Sequence, residues 1–207
     1  MKILWIQAFA LLLCILYAAV VLAQGERKLY NLNNPENDSI KNMFLDGRRA
    51  FFDERLHQPF PLLGLREAID HTVYDFDQPG RCRIIEFGFA DCVGCRVQLP
   101  YFIALSNDKR YAGIDFLYIS YDDSATIMKD INSLYGGRHD RLKMFSFSRD
   151  YLTFSSRLTY GYPTLYFIDS GRQVKAILIG SRATASKEVG QELKTKWVKY
   201  MDSLACH

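Results

Sequence analysis

Cys92-Val93-Gly94-Cys95 is the stretch of this chain whose residue types and spacing could carry chemistry. Two thiols with two residues between them can close a disulfide across the first turn of a helix. The placement predicted by the flanking sequence suits that: Arg83 to Phe89 reads as a short buried strand and Cys95 to Asn107 as the helix that follows. Cys92 then sits at a helix N-terminus, where unpaired N–H groups and the helix dipole favour a thiolate. The thiolate is the attacking species, so Cys92 is the candidate nucleophile. Cys95, one turn further in, suits the resolving role, displacing a substrate from a mixed disulfide. Two other readings stay open. A zinc site would need two further ligands, and the chain has no second Cys-x-x-Cys and no His-x-x-x-His. An inert structural disulfide is the remaining possibility.

Glu86 is the next residue of chemical interest. It interrupts an apolar strand six residues before Cys92. A central strand is covered on both faces, so its carboxyl need not reach water. A buried carboxyl holds its proton to higher pH and can exchange it near neutrality. The plainer reading is a glutamate at a strand end turned to solvent.

These residues need a scaffold, and the hydrophobic pattern supplies one. Ile40, Phe44, Phe51 and Leu56 recur loosely at helical spacing, and Leu65, Ile69, Val73 and Phe76 predict a helix over 62–76. Ile114–Tyr121 reads as a strand. One of Asp122, Asp123 and Ser124 caps a helix carrying Ile127, Ile131 and Leu134, and Gly136-Gly137 stops it. Met144–Phe147 is a short strand and 150–158 a short helix. Thr164–Asp169 and Val174–Ile179 flank Ser170-Gly171-Arg172-Gln173 as a hairpin. A last helix presents Val189, Leu193, Trp197, Tyr200 and Leu204 on one face. Strands alternating with helices, then a hairpin and a final helix, imply an α/β sandwich around a mixed sheet.

Composition agrees. Hydrophobic residues make up 49% of the 207, which is globular. A net charge of +3, spread evenly, excludes nucleic acid as a partner. Met1-Lys2 followed by the apolar run Ile3–Ala23 reads as a signal peptide or a retained N-terminal membrane anchor. Residues 24–207 then face a compartment outside the cytoplasm, and Cys14 stays in the hydrophobic segment. Residues 24–82 are expected to form a polar leader and helical extension, and 83–207 the main domain. No motif calls for a cofactor or a metal.

The stretch Ile84-Ile85-Glu86-Phe87-Gly88-Phe89-Ala90-Asp91-Cys92-Val93-Gly94-Cys95 resembles the active-site strand and turn of the thioredoxin superfamily. Pro100, five residues after Cys95, stands where that family kinks its active-site helix. Gly161-Tyr162-Pro163-Thr164 resembles the cis-proline segment, and Ser170-Gly171-Arg172 the turn between the last two strands. The extracytoplasmic leader and long middle segment 114–149 are most similar to the TlpA/ResA-like branch. The resemblance implies a thioredoxin-like sandwich, with Tyr162 and Pro163 bordering the disulfide and pairing with substrate backbone. The alternative is an ordinary trans proline opening a strand. It also places Glu86 where thioredoxin carries a buried aspartate that assists deprotonation of the resolving cysteine. Cys82 and Cys206 fall at one pole of such a fold, within reach of a structural disulfide, though both could be free thiols.

Departures from the pattern are informative. Asp91 replaces the usual tryptophan before the first cysteine, and a carboxylate there disfavours the thiolate. Gln98 stands where ResA-like proteins carry glutamate. Val93-Gly94 lacks the common proline. A copper-delivery protein of related fold would need Cys-x-x-x-Cys and a ligand histidine; His57, His71, His139 and His207 form no cluster with the cysteines. A related peroxidase would want threonine where Phe89 stands. The resemblance thus implies an extracytoplasmic thiol–disulfide oxidoreductase acting on cysteine-containing exported proteins, with a membrane electron donor if it works as a reductase. The competing reading is a non-catalytic binding module with a structural disulfide.

Overall fold

The computed structural model describes residues 38–68, 70–135, 141–146, 157–180, 187–204 and 206. The expected signal or anchor segment 1–23, the leader as far as Asn37, Ile69, the Gly136-Gly137 stop, most of the expected helix 150–158, His139 and His207 lie outside them. The chain divides into two compact units, residues 1–49 and 50–207. The first is described by helix α1 (Asp38–Asp53), whose last four residues belong to the second. The second unit holds everything that follows.

Five strands make one mixed sheet in the order β3-β2-β1-β4-β5. They are β1 (Cys82–Gly88), β2 (Ile114–Ser120), β3 (Leu142–Ser146), β4 (Thr164–Ile168) and β5 (Val174–Ile179). β1 pairs parallel with β2 and β2 with β3, whereas β4 runs antiparallel to both β1 and β5. Helix α2 (Val93–Ser106) joins β1 to β2, α3 (Ser124–Tyr135) joins β2 to β3, and α4 (Lys187–Ser203) follows the hairpin. This is the expected sandwich, with element ends moved by a residue or two.

Every residue of β1 and β2 is buried. Strands covered on both faces lose polar–apolar alternation, and here only Arg83, Glu86, Asp115 and Ser120 break the apolar runs. On one face Ile84, Phe116, Leu165 and Phe167 pack against Leu99 and Phe102 of α2, Ile127 and Ile131 of α3, and Trp197 and Met201 of α4. On the other, Ile85, Phe87, Leu117, Ile119 and Tyr166 meet Phe51, Phe60, Leu63, Leu65, Tyr74 and Phe76.

That second layer corrects the helix expected over 62–76. The segment is an irregular strap. It starts at the β5 edge, where Pro59 bridges Gln173, and reaches the β3 edge, where Glu67 bridges Phe145. Its backbone bonds outward, Phe60 N–H to Arg172 C=O at 2.7 Å and Ala68 N–H to Met144 C=O at 2.7 Å. Asp70 then accepts from the Thr72 N–H at 2.9 Å in a tight turn that returns the chain along itself, with Tyr74 N–H on Leu65 C=O. Val73, expected on the buried stripe, is 59% exposed. The sheet edges offered carbonyl acceptors to these N–H groups, and tertiary pairing overrode the weak helical period.

Below the sheet's β1 start lies a buried polar network. The Tyr74 hydroxyl donates to Asp115 Oδ2 at 2.6 Å and accepts from Arg83 Nε at 3.0 Å, and Arg81 is bonded to the same carboxylate. Burial alone would push the Asp115 carboxyl up; the hydrogen bonds from Arg81 and Tyr74 outweigh it and hold the group below the usual range.

Candidate active site

β1 ends at Gly88 and α2 begins at Val93, so four residues carry the chain from sheet to helix. Cys92 N–H donates to Phe89 C=O at 3.1 Å, folding them into a turn. The Ala90 N–H donates to Asp122 Oδ2 at 2.6 Å, and Ser120 Oγ donates to the same oxygen at 2.6 Å. Asp122 therefore ties this turn to the end of β2. Asp123 does the capping on α3, accepting from Thr126 N–H at 2.7 Å.

Cys92 is the N-cap residue of α2, with φ −77° and ψ 104°, and its Sγ accepts from Cys95 N–H at 3.1 Å. The sulfur thus satisfies one of the donors a helix start leaves unpaired. Cys92 and Cys95 are disulfide-bonded, with Cα atoms 5.2 Å apart. Cys92 is 8% exposed and Cys95 1%, so solvent reaches the first sulfur more readily. Asp91 beside them is exposed, where water screens its charge.

Cys95 packs on Gly88. A Cβ at that glycine would lie 3.2 Å from Cys95 Sγ and 2.8 Å from Tyr118 Oη, so only glycine lets the helix sit this close. Two residues back on the same strand face, Glu86 is completely buried, and neither carboxylate oxygen has a hydrogen-bond partner among the described residues. Burial drives its carboxyl well above the ordinary glutamate range. The strand-end, solvent-facing reading of Glu86 is therefore wrong, because strand alternation aims the residue at α2. Gln98, one turn beyond Cys95, is 1% exposed, and its Nε2 is likewise without a partner among the described residues.

The second side of the site comes from the start of β4. The Tyr162–Pro163 peptide bond is cis. Pro163 C=O accepts from Gly180 N–H at 2.7 Å, while the half-buried Tyr162 ring packs edge-on to Phe89 at 5.3 Å and to Tyr121 at 5.2 Å. The structure thus brings Tyr162 to the turn that carries Cys92. Phe89, Ala90, Cys95, Leu99, Tyr118 and Ile127 line a narrow apolar slot between α2, β2 and α3.

Cys82 and Cys206 are elsewhere. They are bonded at the opposite end of β1, with Cα atoms 6.0 Å apart and 124 positions between them in sequence. His57 and His71 are exposed. Among the described residues no three His, Cys, Asp or Glu side chains group as metal ligands.

No protein-family model matches the chain, and no curated protein sequence matches it. Solved structures do. The thioredoxin domain of a thiol-disulfide oxidoreductase from Bacteroides vulgatus superposes with a TM-score of 0.53 at 15% identity, covering 70% of this chain and 97% of that one. A thiol:disulfide interchange protein from a Bacteroides species gives 0.54 at 16% identity, over 71% and 90%. The fold is thioredoxin-like. A secreted Mycobacterium tuberculosis disulfide oxidoreductase, described as homologous to the Escherichia coli DsbE protein, gives 0.50 at 14%, over 71% and 98%. In this thioredoxin-like frame Cys92 of the Cys-x-x-Cys pair caps the helix after the central strand, and the ring of Tyr162, which precedes the cis bond, packs on Phe89 three residues before Cys92.

Cys92, Cys95, Glu86 and Pro163 were legible as candidates from sequence. Gly88, the Asp122 tie and the Phe89–Tyr121–Tyr162 ring cluster were not. A glycine between two phenylalanines is an available signal, since a strand interior normally disfavours it unless another group approaches closely.

Proposed function

We propose that this chain is an extracytoplasmic thiol–disulfide oxidoreductase that exchanges disulfides with cysteine-containing exported proteins. The observation that carries the reading is Cys92 as N-cap of α2, bonded to a less accessible Cys95. In the reducing direction, the Cys92 thiolate attacks a substrate disulfide. One substrate sulfur leaves as a thiolate and takes a proton from water, and the other stays bonded to Cys92. The Cys95 thiol gives its proton to the Glu86 carboxylate, and the new thiolate attacks Cys92 Sγ. The substrate's second sulfur then leaves, with two electrons transferred and the Cys92–Cys95 disulfide formed. Oxidation of a substrate dithiol is the same sequence reversed.

The other roles follow from position. The helix start stabilises a Cys92 thiolate and opposes the effect of Asp91, which solvent screens. Glu86 can take the proton of Cys95 because it lies on the strand face that α2 covers and has no fixed cation to hold it ionised. The Tyr162–Pro163 segment is the place for substrate backbone to lie along β4. The apolar run Ile3–Ala23 and the secreted M. tuberculosis neighbour support a location outside the cytoplasm.

The test is capture. Cys95→Ser leaves Cys92 able to attack but removes the resolving thiol, so exported proteins should accumulate as mixed disulfides released by reductant. A Cys92→Ser variant that still reduces a disulfide substrate would overturn the enzyme reading and leave a binding module with a structural bridge.

A further inference from the structure

Three buried polar atoms in this molecule have no hydrogen-bond partner among the described residues: Glu86 Oε1, Glu86 Oε2 and Gln98 Nε2. Buried groups of this kind are nearly always satisfied, by protein or by an enclosed water, because leaving one bare is costly. These three belong to α2 and to the strand β1, which meet where Cys95 packs on Gly88. Cys95 Sγ sits against Gly88. Further down, the Phe102 ring packs on Phe116 at 5.4 Å, and Phe116 is the register partner of Ile84. Gln98 lies between Cys95 and Phe102 on the helix, and Glu86 between Gly88 and Ile84 on the strand. From Cys95 to Gln98 the helix descends about 4.5 Å, and from Gly88 to Glu86 the strand descends about 6.6 Å. The amide and the carboxyl therefore both lie a step below the resolving sulfur, on the two elements that meet at Gly88.

We propose that Gln98 is a positioning residue for the proton transfer: its side-chain amide donates, through one enclosed water, to the ionised carboxylate of Glu86. The water is hydrogen-bonded to both groups and lies on the path from Cys95. It lets the Cys95 proton reach a carboxylate that has no protein donor of its own. Glutamine does here what a second carboxylate could not, because it offers N–H groups to an anion. The inference rests on the oxidoreductase reading above.

The groups that face Glu86 are few. β2 contributes Tyr118 and β4 Leu165 as its register partners, α2 brings the Cys95 thiol to the neighbouring Gly88, and the rest of that face is the apolar cluster that holds Phe167, Trp197 and Met201. None is a fixed charge, and Gln98 Nε2 is a donor with no other partner among the described residues, so its loss should move the ionisation of Glu86. A hydrogen bond to a charged group is strong enough that its removal should shift that ionisation upward by about one pH unit or more.

The experiment separates the two chemical steps, with oxidised glutathione as the probe. Attack by Cys92 is followed as formation of the glutathione mixed disulfide, and resolution as release of glutathione by Cys95, each across pH 5–10. In Gln98→Leu the first step should keep its rate and profile. The second should lose roughly tenfold near neutral pH and recover at higher pH. In a Glu86→Gln background the same substitution should shift nothing further. Should Gln98→Leu not fold, Gln98→Met keeps the side-chain length and removes the donor. An unchanged resolution profile, or an equal loss of both steps at every pH, overturns the role of Gln98. Failure of Cys92 to form the mixed disulfide in the wild-type chain overturns the oxidoreductase reading instead.

Discussion

Removing the Cys82–Cys206 bridge should cost more stability than any single core truncation of ordinary size. The bridge spans 124 positions. In the chain-entropy treatment a loop of that length confers about 5 kcal/mol, against about 2 kcal/mol for the four-residue ring of Cys92–Cys95. Cys206→Ala is the clean perturbation. Cys82, fully buried at the start of β1, then remains as a free thiol, which packs as a small apolar group. With a urea dependence of about 2 kcal/mol per molar, the unfolding midpoint should fall by about 2.5 M. Dithiothreitol should lower the midpoint of the wild type by a comparable amount or more. In Cys206→Ala it should act only through the small ring and so have a much weaker effect. A Cys206→Ala midpoint within half a molar of the oxidised wild type would refute the reasoning, because the loop-closure contribution would then be missing.

Glu86→Gln should stabilise the protein increasingly as pH rises. The raised carboxyl is neutral in the folded chain while its unfolded counterpart ionises near pH 4.5, so wild-type stability declines from there upward until the folded group ionises, by about 1.4 kcal/mol per pH unit; urea melts from pH 4 to 8 should show the variant lacking this slope. Gly88→Ala should destabilise by about 1–3 kcal/mol and displace Cys95, read as a changed rate of Cys92–Cys95 reduction, since the new methyl group meets Tyr118 Oη and Cys95 Sγ. Tyr74→Phe should cost about 1–3 kcal/mol in a urea melt by stripping buried Arg83 Nε of its acceptor. Asp115, held below the ordinary carboxylate range, contributes stability that is present above pH 4 and lost as pH falls through its folded value; an Asp115→Asn variant should show a flatter acid limb.

Much of the frame could be read from residues because its strands are covered on both faces. Ile114–Ser120 is an unbroken buried run, and such runs announce themselves without alternation. The cysteine pair was legible because its spacing is local, and so was Glu86, because a carboxyl inside an apolar strand has few plain explanations. What depended on distant partners was not. Leu65 and Phe76 kept the right hydrophobicity while the backbone of Phe60 and Ala68 served the sheet edges, and no local period records such a choice. Asp122 and Asp123 are adjacent acids with equal capping propensity. Which of them holds Ala90 and which caps α3 follows from where β2 ends. Gln98 looked like an absent acid, and its burial follows only from the way α2 lies over the sheet.

The strap has a consequence in time. Pro59 and Phe60 find their partners at Gln173 and Arg172, and Glu67 finds its own at Phe145. The ribosome makes the strap first and those partners more than seventy residues later. At ordinary translation rates the interval is on the order of ten seconds. During it the sheet that Phe60, Leu63 and Leu65 cover is incomplete, and contacts of such long separation form slowly even in a finished chain. Cys92 and Cys95 are synthesised inside the same interval. Each newly made molecule therefore carries its thiol pair before the far face of the sheet can be closed.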